Sequence, residues 1–216
     1  MADKVTIDTK ALAEACARFG VARLRVFGSV LTDHFDPHTS DIDFLVDFQA
    51  GRNDRFADFF GLQDELTRIF GRKIDLVVAE SVKNPYFKSS VLRGGLRMSM
   101  RPESYAHIWD ALQAVRALRR FTQGVSEEEY LSDLMLSSAV ERQIEILGEA
   151  LNRVRKSDPQ TVNQIPDIHR IIGMRNIIAH EYGSVDSQLV WAAATTRVVM
   201  LEMILAEMLQ DTHWPE

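Results

Sequence analysis

At Pro102 the hydrophobic pattern of this 216-residue chain changes from alternating strands and helices to helical spacing alone. A polypeptide with such a switch cannot run one layered sheet along its whole length. It is expected to fold as two domains of different class, an α+β architecture. The expected partition is an α/β domain with a small mixed sheet over residues 1–98, then an all-α antiparallel four-helix bundle over residues 99–216. A hydrophobic content of 46% is enough to give each domain a core.

In the first part, the spacing of Leu12, Ala15 and Phe19 predicts a helix over 8–18 that stops at Gly20. Strands are expected over 21–27, 41–48 and 74–78. Between the last two lies a helix over 54–70, striped by Phe56, Phe59, Phe60, Leu62, Leu66 and Phe70. A short helix opens at Asn84-Pro85 and closes at Gly94-Gly95, and residues 94–102 read as a solvated linker.

Chemistry concentrates in residues 27–46, F-G-S-V-L-T-D-H-F-D-P-H-T-S-D-I-D-F-L-V. Alternation along a strand puts Asp41 and Asp43 on one face, about 7 Å apart. Two carboxylates so placed can share a divalent cation, because hard ions prefer oxygen ligands. Gly28-Ser29 turns the chain beside them and aims backbone N–H groups outward, where a phosphate can sit. Asp75 begins the third strand much as Asp41 and Asp43 begin the second, so side-by-side pairing would bring a third carboxylate to the same end. The plain alternative is a half-solvated strand with an ordinary aspartate at its neighbour's edge. Asp is depleted in strands, however, and two next to a Gly-Ser turn need a reason. Metal-assisted phosphoryl or nucleotidyl transfer supplies one.

Beyond Pro102 the periodicity predicts helices over 102–121, 126–156, 166–182 and 186–210. Ser126 with Glu129 forms a capping box, and Asp158-Pro159 starts a brief turn. The third helix carries M-R-N-I-I-A-H-E-Y over residues 174–182. At 100° per residue Arg175 and Tyr182 share a face, whereas His180 is turned about 140° from Arg175. Bringing both to one phosphate needs the reach of arginine, an unwinding near Gly183, or a second copy of the chain. The structural alternative is a histidine complementing a helix C-terminus beside an ion-paired arginine. The catalytic reading is a metal-free ribonuclease site, His180 serving as general acid or base and Arg175 stabilising a pentavalent phosphate.

With Gly28-Ser29, Asp41-Ile42-Asp43 and Asp75 in place, residues 20–80 resemble the minimal nucleotidyltransferases of the DNA polymerase beta-type superfamily. The resemblance implies ATP as co-substrate and Mg2+ as cofactor. Gly28, Ser29 and Ser40 would bind nucleotide, and Asp41, Asp43 and Asp75 would hold metal. The chain departs from that pattern once. Val30-Leu31-Thr32-Asp33 stands where the branch has a small residue, arginine and glycine, which removes a cation from the phosphate cradle.

The helical part resembles the HEPN superfamily, through Arg175-x4-His180-x-Tyr182 and the supporting segments Arg142…Ile146-Leu147-Gly148-Glu149-Ala150 and Gly173-Met174-Arg175-Asn176. That likeness implies a ribonuclease toxin working as a homodimer or higher homo-oligomer. It also implies Tyr182 as the residue that a nucleotidyltransferase antitoxin silences by adding AMP. Here both partners lie on one chain, a single-chain toxin–antitoxin arrangement. Two readings compete: a small-molecule nucleotidyltransferase with the bundle shaping its acceptor pocket, and a module with no catalysis.

Charge bears on the RNA partner, a tRNA or an mRNA. Residues 1–100 hold 14 Lys+Arg against 14 Asp+Glu, and the remainder 11 against 17. So acidic a bundle lacks a broad nucleic-acid footprint, and any RNA site in it must be local. Cys16 is the sole cysteine, which rules out a disulfide framework and a Cys-based zinc site. With no basic leader and no apolar run of spanning length, a cytoplasmic location without membrane contact is expected.

Overall fold

The computed structural model describes residues 8–31, 35–36, 40–92, 102–180, 186–196 and 198–210. Its packing divides the chain into Met1–Lys83 and Asn84–Glu216. The boundary expected between residues 98 and 99 lies outside the described residues.

The N-terminal unit begins with α1 (Thr9–Arg18), whose first turn is capped by Asp8 accepting from the backbone N–H groups of Lys10 and Ala11. There follow β1 (Val21–Phe27), a short 3-10 turn (Gly28–Leu31), β2 (Ile42–Phe48), α2 (Arg55–Phe70) and β3 (Ile74–Val78). The strands form one sheet in the order β1-β2-β3. β1 runs antiparallel to β2, and β2 runs parallel to β3 through the α2 crossover. This is the small mixed sheet expected.

Alternation then sorts the side chains. Ile42, Phe44, Val46 and Phe48 of β2, with Ile74 and Leu76 of β3, turn to one face and bury against Leu62 and Leu66 of α2 and Ala15 of α1. Each of the larger of these contributes roughly 1.5–3 kcal/mol by leaving water. The other face carries Asp43 and Asp75.

The C-terminal unit is all helical: α3 (Pro85–Leu92), α4 (Pro102–Thr122), α5 (Glu127–Ser132), α6 (Leu134–Ser157), α7 (Pro159–Val162), α8 (Ile168–His180), α9 (Ser187–Thr196) and α10 (Val198–Gln210). Asn84 ties α3 to α4. Its Oδ1 accepts from the Tyr86 and Phe87 N–H groups, while its Nδ2 donates to the Ala106 carbonyl at 2.8 Å and to Asp110 Oδ1 at 2.9 Å. α6 packs against both α4 and α8, and α10 packs against α4. A continuous apolar core includes Ile108, Leu118, Val140, Leu151, Val190 and Leu205.

Two details differ from the periodicity. The helix expected over 126–156 is two helices, because Asp133 adopts an extended backbone and caps a fresh start by accepting from the Met135 and Leu136 N–H groups. Helix α8 begins at Ile168 rather than Pro166, since Asp167 has φ +55°. The capping box holds: Ser126 Oγ accepts from the Glu129 N–H, and Glu129 accepts from the Ser126 N–H at 2.8 Å.

Candidate active sites

β2 and β3 place Asp43 directly opposite Asp75 in the parallel register, and Asp41 lies one residue before β2 begins. Neighbouring strands lie about 4.8 Å apart, so the carboxylates of Asp43 and Asp75 are adjacent on one face. Burial raises the Asp43 pKa above the ordinary carboxylate range, and the negative charges of Asp75 and Asp41 add to that shift, against the opposing pull of Lys73. Anions crowded in this way need a cation, and hard oxygen donors suit magnesium. The residues therefore fit the metal their pattern implies. They do not form a ready cage, for among the described residues no three acidic, histidine or cysteine side chains converge as an ion requires.

Lys73 stands among these carboxylates. Its Nζ lies 2.6 Å from Asp41 Oδ2 and 3.2 Å from Asp75 Oδ1, spanning two of the three carboxylates. Both contacts raise the Lys73 pKa above its usual value. Sequence reading passed over this residue, although it sits two positions before Asp75 and alternation points the two to one side.

Gly28 brings the turn onto the acidic face. It has φ +76°, and a Cβ there would fall 2.2 Å from Asp43 Oδ2. Only glycine admits both that backbone and that contact. Ser29 follows in the 3-10 turn, whose four residues include no basic side chain. Ser40 is fastened within its own loop: its hydroxyl accepts from the Asp36 N–H at 3.0 Å, and its N–H donates to the Asp36 carbonyl.

In the helical unit the expected site is partly described. Arg175 projects from α8 toward α6, where its Nη2 lies 3.3 Å from Glu149 Oε2 and its Nη1 donates to Asn176 Oδ1 at 3.0 Å. Arg153 Nε donates to the other oxygen of Glu149 at 3.0 Å. Burial works to raise the Glu149 pKa, but that hydrogen bond and the charges of Arg153, Arg175 and Lys156 together hold it below its usual range.

Gly148 allows this proximity. A Cβ there would lie 2.3 Å from the Cβ of Arg175 and 3.3 Å from the Ile171 carbonyl. His180 closes α8, and its side chain, like all of Tyr182, lies outside what is described. The structure thus brings Arg175 to a glutamate that the sequence offered only as part of a supporting segment, and it leaves the Arg175–His180 separation unspecified.

Three of the four tyrosines are described. Tyr105 and Tyr130 are wholly buried, and Tyr86 is half-buried and stacked on Tyr105 with ring centres 5.8 Å apart. Burial, and after it the charge of Glu141, pushes the Tyr130 phenol up to about 12.

Comparison with known proteins agrees with the two-part reading. Residues 9–97 match the family described as a nucleotidyltransferase domain, and residues 111–208 match the family described as "Ribonuclease HepT-like". A "Putative RNase" of Caldanaerobacter subterraneus subsp. tengcongensis is 31% identical over 99 residues, covering 46% of this chain and 88% of that protein. A "Putative protein adenylyltransferase" of Methanocaldococcus jannaschii is 36% identical over 74 residues, or 34% of this chain and 72% of that protein. A "Putative RNase" of the same organism is 26% identical over 106 residues, covering 49% of this chain and 87% of its own length. No solved structure matches. With relatives of each half at this identity and coverage, the chain belongs to both families, a nucleotidyltransferase domain and a HepT-like ribonuclease domain in one polypeptide.

Proposed function

We propose that the N-terminal domain transfers AMP from ATP to Tyr182, and that this modification silences a metal-independent ribonuclease site built on Arg175 and His180. The observation that carries the first step is the apposition of Asp43 and Asp75, with Asp41 beside them and the Gly28 turn against Asp43. In the reaction the Tyr182 oxygen bonds to the α-phosphorus of ATP, the bond to the bridging oxygen breaks, and pyrophosphate departs. Asp41, Asp43 and Asp75 would hold magnesium, which when bound polarises the phosphate and acidifies the attacking phenol. Gly28 and Ser29 would offer backbone N–H groups to the triphosphate, with Ser40 holding the adjoining loop. The burial of Tyr105 and Tyr130 supports Tyr182 as acceptor, because a buried phenol cannot reach a nucleotide.

For the second step, the RNA 2′-oxygen attacks the adjacent phosphorus and the 5′-oxygen leaves. His180 moves the proton, and Arg175 meets the charge that grows on the phosphorane. Glu149 anchors Arg175 from α6. A phosphodiester on Tyr182 would place negative charge and bulk where the RNA phosphate must lie, and would compete for Arg175. A second copy of the chain, in a homodimer or larger homo-oligomer, would complete the cleft, with tRNA or mRNA as substrate.

Intact mass spectrometry tests this. The protein incubated with ATP and magnesium should gain whole AMP units that map to Tyr182, and Asp41→Ala with Asp43→Ala should gain none. The double variant should stop growth on expression, and His180→Ala should relieve it. AMP appearing only on an added small molecule, or on Tyr86, would overturn the proposal, as would a harmless double variant that cuts no RNA.

A further inference from the structure

We propose that Lys73 is the resident counter-ion of the acidic centre, exchanging its two carboxylates for the nucleotide's phosphates when metal binds. The inference rests on the nucleotidyltransferase reading above and extends it to a residue that reading does not use. Lys73 Nζ sits between Asp41 Oδ2 and Asp75 Oδ1, at 2.6 and 3.2 Å, and so occupies the space where a cation would neutralise both. Its position is set by the fold. Lys73 immediately precedes β3, and its carbonyl accepts from the Ile42 N–H, which locks the start of β3 to the start of β2.

The attachment is easily broken. The Lys73 side chain is 66% exposed, with Asp41 at 40% and Asp75 at 49%. Ion pairs this wet contribute at most about 1 kcal/mol each, and an ammonium carries half the charge of a divalent ion. A divalent cation coordinated by three carboxylates would displace it. The flexible four-carbon stem then leaves a positive head at the rim of the centre.

A triphosphate arriving there meets three aspartates, and the Gly28–Leu31 turn that faces them carries no basic side chain. The freed ammonium is placed to supply that charge. Lys73 thus has two stations, first across Asp41 and Asp75 and then on the nucleotide.

Binding measurements on the full chain separate these roles. With Mn2+ alone as the probe, followed by its paramagnetic signal, Lys73→Met should bind the ion about five- to tenfold more tightly than the unaltered protein, since its competitor is gone. With a non-hydrolysable ATP analogue and magnesium, the same variant should bind about tenfold more weakly. Lys73→Arg should restore nucleotide binding. The side chain is exposed, so the thermal melt should shift by no more than a few degrees.

If Lys73→Met and the unaltered protein bind Mn2+ equally, or the variant binds it more weakly, Lys73 does not compete with metal and the proposal fails. Unchanged affinity for the analogue also sinks it. Should the unaltered protein bind neither Mn2+ nor the analogue, the nucleotidyltransferase reading itself falls, and Lys73's role falls with it.

Discussion

Gly28 and Tyr130 show how single atoms govern this chain, one by a missing carbon and the other by a stranded hydroxyl. Gly28→Ala adds a Cβ where only 2.2 Å separates it from the Asp43 carboxylate, at a φ that costs a non-glycine residue about 1–2 kcal/mol. The turn or Asp43 must give way. AMP incorporation measured by mass should drop at least about a hundredfold, as expected when reacting groups are displaced by about 1 Å. Full incorporation by the variant would show that the contact is not needed. Tyr130 is fully buried against Trp191, with ring centres 4.9 Å apart, and its hydroxyl has no hydrogen-bond partner among the described residues. An unmade buried hydrogen bond costs about 1–3 kcal/mol, so Tyr130→Phe should leave the melting temperature unchanged or raise it. A clear fall would reveal a partner for the oxygen.

At the scale of elements, α6 and α8 set the geometry around Arg175. Gly148→Ala would push the helices apart against a 2.3 Å contact, at about 1–3 kcal/mol for the overpacked interface. In the background lacking Asp41 and Asp43, it should also abolish RNA cleavage, read on gels, because Arg175 moves away from Glu149. On α4, burial, and after it the positive charge of Arg153, lowers the His107 pKa below its usual value, with Glu149 opposing. The fold therefore favours neutral His107. Its contribution is present above the unfolded pKa of about 6.5 and is lost as pH falls through that value toward the lower folded one. Asp110 on the same helix is raised by burial and acts in the opposite sense, its contribution present below the unfolded pKa of about 3.9 and lost as pH rises through the higher folded one. Denaturant midpoints should thus drop between pH 7.5 and 5.5, and His107→Gln should flatten that slope. An equal slope in the variant would assign it to other groups.

The elements were legible where punctuation and period coincide. β1 and β3 appear at 21–27 and 74–78 because Gly20, Gly28 and Gly71 bracket apolar runs. The break at Asp133 was not legible, since helical spacing continues through it and only the backbone angles show the aspartate acting as a cap. Of the nucleotidyltransferase residues, Asp43 and Asp75 could be paired from strand alternation. Lys73 could not be singled out before its reach to Asp41 was known, and Glu149 could not be linked to Arg175 before the α6–α8 approach was known.

At the scale of the whole molecule, the two packing units hold separate hydrophobic clusters, a smaller one around β2 and α2 and a larger one among the helices. Calorimetry should resolve two transitions. A non-hydrolysable ATP analogue with magnesium should raise only the transition of the N-terminal unit, by the mass-action stabilisation any ligand gives the state that binds it. A single transition, or two that rise together, would mean the units unfold as one.

Within the N-terminal unit, α1 and α2 shield the same side of a three-stranded sheet, and the aspartates stand on the other. On that second side Phe27, paired with Asp43, and Leu45, two positions along β2, are buried as well. Carboxylates with such neighbours are poorly hydrated when charged, so the gain from an arriving cation is larger there than it would be for the same three groups in open water.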